Sequence, residues 1–493
     1  MRSAFLLTPL NFLINTIDIQ LVSCGIFMGL PIKMPIDQVD IVFNFHLIRR
    51  YVLSCFNDPK SLLWQAVDEL AASPAEFAVD PSRDFTRCRK LSFKDTIHLL
   101  LTMEGDCIQE ELFKFFGRSI NAPSKAAFCR QRQKLSEKAL PSLLNIFNSK
   151  LSTTLFKGKY RLLACDGTTA EIFRNPDDLT TYYEPNKVSS RGFNMVYINA
   201  MYSILDNRFV DLVIQPGRMM NEFTAFCHMV DTAGCDGPPI IYFGDMGYAS
   251  YNNFAHVIEN GQFFLIRAND RILQGILGHS VDDMRDMDSH MDLIMSRSSS
   301  VKNMPDPGPG IRYKHLPYSS SLDYFDCCHS LYRMSLRIVR FELSDGVYEN
   351  IITNLPDHEF SFEDFKDLYF LRWNEETAFR SIKHVLCLSN FHSKKLRFVI
   401  QEIWARAILY NFSSAIISKV VVKKKNAVHK YQVNYTEALK TCREFLRARG
   451  TGPGIDVTGL ITRCIEPIRP GRYFPRYEGR SRSRRPFSFL YRN

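Results

Sequence analysis

From residue 58 to about residue 155 apolar side chains recur every three or four positions, the period of helices that bury one face. Residues 61–70, 93–103, 108–116 and 135–147 each read as an amphipathic helix, with Ser92 and Ser136 as N-caps of two of them, because a hydroxyl there accepts from free backbone N–H groups. Asn121-Ala-Pro-Ser interrupts the run, and residues 125–134 follow as a basic helix carrying Arg130, Arg132 and Lys134. Either that helix crosses a DNA backbone or it is a solvated face. At Tyr160 the period changes to that of strands. Residues 160–165 read as a buried strand ending at Asp166-Gly167, and 194–205 and 208–215 as two more joined by the turn pair Asp206-Asn207. Asn221 opens a helix to about 232, a strand at 239–243 ends at Gly244-Asp245, and a helix at 251–260 leads to a strand at 262–268.

Three meandering strands, then helix, strand, helix and strand, predict an α/β fold with an RNase-H-like mixed sheet flanked by helices. Residues 269–353 interrupt this order. Their first half is polar, and their second half holds a hairpin, 335–343 and 347–353 around Ser344-Asp345-Gly346, so the stretch reads as a β-rich inserted subdomain. Ser361 begins a helix that runs past Lys383, an apolar helix spans 398–421, and a short basic helix spans 436–449. The expected organisation is an apolar N-terminal segment at 1–57 and a helical, DNA-binding domain at 58–155. A catalytic core follows in two parts, 156–268 and 354–425, around the insertion at 269–353, with a basic C-terminal region at 426–493.

Composition narrows the partners. Hydrophobic residues make up 45% and charged residues 23% of the chain, as in ordinary globular proteins. The net charge of +10 favours polyanions, and the excess is uneven, since 469–492 is rich in arginine against the single acid Glu478. That tail either tracks phosphates or keeps the chain soluble. The 13 cysteines lack a C-x-x-C pair, which points away from zinc or an ordered disulfide framework and towards reduced thiols. Residues 3–17 are uncharged, but Pro9, Asn11, Asn15 and Thr16 dilute them, and the next run, 19–32, is short of the roughly 20 residues of a membrane helix. We expect a buried segment, or an early start with Met28 or Met34 as the true one, rather than a signal peptide or anchor. The location expected is cytoplasmic and nucleoid-associated, with no membrane.

The chemistry gathers on one expected helix. Tyr369, Arg372, Glu376 and Lys383 lie three, four and seven residues apart, and at about 100° per residue they fall within roughly 60° of arc. A carboxylate flanked by two cations and a phenol suits a phosphodiester: the anion ligates a metal and the cations hold phosphates. Glu375 is a rival about 100° off that stripe. Asp166 and Asp245 follow the first and fourth strands, which would lie side by side, so both would reach one edge of the sheet. Each alone is more often a turn residue. Together with Glu376 they would supply oxygen ligands for two magnesium ions. Arg267, ending the fifth strand, either reaches DNA or pairs with a nearby acid. Glu222 reads as a helix-start charge or as an acid behind the metal ligands.

Tyr369-x2-Arg372-x3-Glu376-x6-Lys383 resembles the Y-R-E-K signature of the IS-four family of DDE transposases. Thr353-Asn-Leu-Pro, Cys165-Asp-Gly-Thr168, Asn221-Glu222, Phe243-Gly-Asp-Met-Gly-Tyr248 and Phe263-Phe-Leu-Ile-Arg267 are similar to it as well. The resemblance implies an RNase-H-like core with a β insertion, and a transposase that cuts at transposon ends and transfers the 3′-hydroxyl into target DNA. It implies Asp166, Asp245 and Glu376 as the metal-binding catalytic triad for two Mg²⁺ ions, replaceable by Mn²⁺. Tyr369, Arg372 and Lys383 would contact double-stranded DNA near the scissile phosphate, with Trp373 and Arg267 beside them, in a homodimer formed on DNA. Met246 stands where the family commonly has Arg. Where such enzymes cut through a DNA hairpin, an aromatic holds an extruded base; Tyr324, Phe325 and Trp373 are the candidates, each equally suited to core packing. An RNase-H-like nuclease without strand transfer, and an inactive DNA-binding copy, are the alternatives.

Overall fold

The computed structural model describes residues 58–468 except 88, 186–189, 235–236, 282–284, 299–305, 326–330, 345, 372–389, 423–430 and 449–454. Its centre is a ten-stranded mixed sheet. The first strands in chain order are β1 (Arg161–Ile172), the short β2 (Tyr182–Tyr183), β3 (Phe193–Ser203), β4 (Arg208–Pro216), β5 (Ile240–Gly244) and β6 (Phe263–Ala268). β1 pairs antiparallel with β3 and parallel with β5, β4 lies outside β3, and β6 runs parallel to β5. The spatial order β4-β3-β1-β5-β6 is the RNase-H-like arrangement expected from the chain order. The β3–β4 turn falls where Asp206-Asn207 predicts it, and Asn207 takes a left-handed φ of 52°, a conformation Asn tolerates better than most residues.

Two features differ from expectation. β1 does not end at Asp166-Gly167 but continues to Ile172, because β3 is long enough to pair with it throughout, from Leu163↔Ser203 to Ile172↔Asn194. Pairing with β3 keeps Asp166-Gly167 extended, with the Gly167 N–H taken by the Asp166 side chain, and no turn is needed. The insertion contributes β7 (Met287–Ser296), β8 (Ile311–His315), β9 (Leu331–Ser344) and β10 (Val347–Thr353). The expected hairpin is present as β9–β10, but β10 pairs with β6 in register Thr353↔Leu265 to Asn350↔Ala268. The insertion's strands therefore extend the central sheet, and β6 is no longer an edge open to other chains.

Helices cover both faces. On one lie α1 (Pro59–Ala72), α2 (Phe93–Thr102), α3 (Ile108–Phe115), α4 (Lys125–Arg132) and α5 (Ala139–Lys150). They share a core with Ala170, Val196, Ile198, Tyr202 and Phe209 of the sheet. On the opposite side α6 (Glu222–Thr232), α7 (Tyr251–Glu259) and α8 (Asp270–Leu277) pack through Phe226, Phe254, Val257 and Leu273 on Tyr242, Phe264 and Ile266. Helix α9 (Phe362–Leu371) adds Phe365, Leu368 and Tyr369 to a third cluster with Ala164, Ile241 and Phe243. α10 (Leu396–Ile417) is nearly wholly buried, its polar Gln401, Glu402, Arg406 and Asn411 included, as a central helix is. α11 (Tyr435–Arg447) and α12 (Val457–Arg463) complete the helical layer.

The caps divide. Ser92 forms a full capping box with Asp95, whereas Ser136 precedes a helix that begins only at Ala139 and its buried hydroxyl caps nothing among the described residues. The basic helix is also corrected in part. Arg132 of α4 is fully buried and bonded to Glu402, Gln401 and the Phe398 carbonyl, so it braces α10 and does not face DNA. Lys134 lies 3.9 Å from Asp84. Among the described residues no helix is long and apolar enough to cross a membrane, and the described cysteines are unbridged. Residues 1–57 and the tail from Arg469 fall outside the described residues.

Candidate active site

The site begins where two parallel strands part. β1 and β5 pair as far as Cys165↔Gly244. The next residue on each is an aspartate, so Asp166 and Asp245 stand side by side at the point where β5 leaves the sheet. Both are partly exposed. Asp166 Oδ1 accepts from the Gly167 N–H at 2.7 Å. Asp245 Oδ1 accepts from the Gly247 N–H, also at 2.7 Å, and so caps the turn Met246–Tyr248. These bonds hold each carboxylate in one orientation before anything binds.

A third carboxylate approaches from α6. Glu222 follows the N-cap Asn221, whose side chain accepts from the Thr224 N–H at 3.1 Å. Tyr197 of β3 donates its hydroxyl to Glu222 Oε1. Burial pushes the Tyr197 hydroxyl well above its ordinary range; the hydrogen bond to Glu222 and the charges of Glu222, Asp166 and Asp245 add to this. The phenol therefore stays protonated and remains a donor. Tyr248 is 2% exposed, and burial likewise raises its hydroxyl, followed by the Cys165 thiol and then the Glu222 and Asp166 charges.

Two glycines keep this space open. A Cβ at Gly167 would collide with the Tyr197 ring and hydroxyl, while one at Gly247 would stand 2.9 Å from Asp245 Oδ1 and 3.7 Å from Glu222 Oε2. Gly167 has no left-handed backbone, so its demand is for space alone. Gly167→Ala should displace Tyr197 and destabilise the fold by about 1–3 kcal/mol, as overpacking does. Denaturant unfolding of the purified variant measures this, and a stability equal to the wild type would refute the close packing described.

Arg267 of β6 takes the bland alternative open to it. Its guanidinium forms a two-pronged pair with Glu349 of β10 at 2.7 and 2.8 Å and lies 5.7 Å from the Tyr369 ring centre. Burial works against its charge, but the Glu349 hydrogen bonds and charge raise its pKa, with smaller help from Tyr369 and Asp245. The Tyr369 ring is 5% exposed and meets Phe341 edge-on. Tyr324 packs against His256 and Phe325 under Arg297, so these two candidate aromatics make packing contacts. Arg372, Trp373, Glu376 and Lys383 lie outside the described residues.

Asp166 and Asp245 offer the hard oxygen donors that a divalent ion of the magnesium class takes, and Gly247 leaves the Asp245 side unobstructed. Among the described residues no three acidic, histidine or cysteine side chains converge closely enough to hold an ion between them. Sequence reasoning missed Tyr197 and Glu349. Each acts through a cross-strand or helix contact fixed by register, which strand periodicity alone does not reveal.

Residues 157–412 match the family described as "Transposase DDE domain", more than half of the 493-residue chain. The chain belongs to the DDE transposase family. It is accordingly a transposase, an enzyme that cuts and transposes DNA, of a family that uses divalent metal ions. None of the curated proteins compared matches it. A solved structure, the cryo-EM synaptic complex of piggyBac transposase with hairpin DNA, matches over 85% of this chain and 86% of that one. The identity is 11% and the TM-score 0.38, and a likeness that distant carries no argument about activity.

Proposed function

We propose that this transposase hydrolyses phosphodiesters at the ends of a DNA element and joins the freed 3′-hydroxyl to target DNA, using two Mg²⁺ ions held by Asp166, Asp245 and Glu376. The observation that carries this reading is the side-by-side placement of Asp166 and Asp245 where β1 and β5 part. Each carboxylate is steadied by one backbone N–H, so it presents its charge without first having to reorganise. When bound, such ions supply an activated hydroxyl and a counter-charge for the leaving oxygen.

The chain's own residues do the rest. Arg267, fixed by Glu349, sets a positive charge near Asp245, favourable to a phosphate approaching the aspartates. Tyr369, whose ring is buried beneath that guanidinium, acts by supporting Arg267 as much as by touching DNA. Arg372, Trp373 and Lys383 continue the DNA-contacting stripe in this proposal, and the Y-R-E-K spacing supports placing the chain near the IS-four branch. Double-stranded transposon ends and target DNA are the partners, held by a homodimer assembled on DNA in the cytoplasm at the nucleoid. Mn²⁺ substitutes for Mg²⁺.

The test is an in vitro reaction with purified protein, Mg²⁺, a DNA fragment carrying the element's end, and a circular target. Cleaved ends bearing 3′-hydroxyls and covalently joined products are expected. Cleavage without any joined product would leave a nuclease in place of the proposed strand transfer.

A further inference from the structure

We infer that Glu222, aimed by Tyr197, is a further positioning residue of the metal site, acting on the water shell of the bound ion from the α6 side. This rests on the metal-dependent reading above and deepens it. From the sequence Glu222 reads either as a helix-start acid, favoured there by the helix dipole, or as an acid behind the metal ligands. Its placement does more than the helix-start role requires. The side chain is partly buried, and Oε1 is taken by the hydroxyl of Tyr197, which comes from a different element, β3. That bond turns the other oxygen inward: Oε2 lies 3.7 Å from the Cβ position at Gly247, and Asp245 Oδ1 lies 2.9 Å from the same point. Two carboxylates thus approach one small space from α6 and from the end of β5, and a side chain at 247 would fill it.

Like charges facing each other across such a gap are unfavourable unless a cation compensates. Arg267, whose charge reaches Asp245, is committed to Glu349. A divalent ion between the aspartates would compensate these charges. Direct ligation by Glu222 is not what the geometry offers, since among the described residues no three candidate ligands converge on one point. Magnesium commonly retains several of its waters on binding protein, and a carboxylate oxygen on the α6 side of this space is an acceptor for one of them. Tyr197 thereby occupies one oxygen of Glu222 and leaves the second to face the ion. Gly167 matters for the same reason, because a Cβ there would push Tyr197 away.

The full-length protein is titrated with Mn²⁺ alone, followed by electron paramagnetic resonance, and its unfolding midpoint is measured in chelator. For Glu222→Gln the Mn²⁺ affinity should weaken by about 10–100-fold, as loss of an outer-shell partner does, with the metal-free midpoint unchanged. The Mg²⁺ concentration for half-maximal end cleavage should rise in step. Tyr197→Phe should shift both in the same direction by less, and it serves as the second probe should Glu222→Gln fold poorly. Asp245→Asn should lose Mn²⁺ binding outright. If Asp245→Asn loses the ion while both Glu222→Gln and Tyr197→Phe bind it like the wild type, the inference fails and the metal reading stands. If all three variants bind like the wild type, the metal reading fails and takes the inference with it. A lowered metal-free midpoint with unchanged affinity in the folded protein marks a purely structural role and also overturns the inference.

Discussion

Asp245→Asn is expected to reduce end cleavage by about 10³-fold or more while leaving the protein folded. Ligation of a catalytic ion is worth several kcal/mol of charge stabilisation in the transition state, and each 1.36 kcal/mol is roughly tenfold in rate. Asparagine is the informative replacement. Its carbonyl oxygen can still accept the Gly247 N–H that Asp245 Oδ1 accepts at 2.7 Å, so the turn after β5 keeps its cap. Only the negative charge is removed. Asp245→Ala would lose the cap too, at about 1 kcal/mol, and would confuse folding with chemistry. The same logic applies to Asp166→Asn, whose amide oxygen can keep the bond from the Gly167 N–H. Cleavage assays in Mg²⁺ beside thermal melts separate the two effects. Cleavage within tenfold of the wild type would remove Asp245 from the catalytic group.

The neighbouring placement of that pair of aspartates is legible in the sequence for a definite reason. The strand order follows from periodicity and short connections, and an RNase-H-like order places the first and fourth strands together. β1 and β5 are indeed neighbours. Asp206-Asn207 marks its turn because few residues accept a left-handed φ, and the hairpin around Gly346 is signalled in the same way. What escaped depends on contacts between residues far apart in the chain. Asp166-Gly167 looks like a turn locally, yet the length of β3 keeps it in a strand. The hairpin β9–β10 is visible, but not that it would dock on β6. Arg132 sits in a basic run that suggests a solvated or DNA-facing helix, and only the fold reveals the carboxylate on α10 that draws it inward. The stripe from Tyr369 to Lys383 is described only at its first member, whose ring is buried under Arg267. Helical spacing assigns a face; it does not say whether that face meets solvent or a neighbouring side chain.

The largest effect on stability is expected from the carboxylate that Arg132 meets. Glu402 is 2% exposed; its Oε1 lies 3.0 Å from Arg132, and its Oε2 accepts from the His392 backbone at 3.1 Å and sits 3.0 Å from His392 Nδ1. Arg406 stands 3.5 Å away, and His392 Nε2 is 3.8 Å from Glu111. Glu402→Gln keeps the shape but leaves two guanidiniums and an imidazole buried around a neutral amide. Removing one partner of a buried ion pair typically costs about 3–5 kcal/mol, and a similar loss is expected here in denaturant unfolding. The network also predicts a pH dependence. Burial opposes the charged form of His392, but the Glu402 charge, the nearby Glu111 carboxylate and the hydrogen bond to Glu402 outweigh it and raise the pKa from 6.5 to about 9. The imidazolium's contribution is therefore whole below 6.5 and is lost as pH rises through about 9. Burial likewise opposes the charge of Glu402, yet His392, Arg132 and Arg406 hold its pKa far below the ordinary 4.5, so its contribution is present above that value and lost only in strong acid. Wild-type stability should accordingly fall between about 6.5 and 9, and that slope should flatten in Glu402→Gln, where the partner that keeps His392 protonated is gone. An unchanged slope, or a loss below about 1 kcal/mol, would show that these charges are not coupled as the distances imply. Since the network joins Glu111 of α3 and Arg132 of α4 to the central helix α10, its failure should loosen the N-terminal helices from the core that carries Asp166.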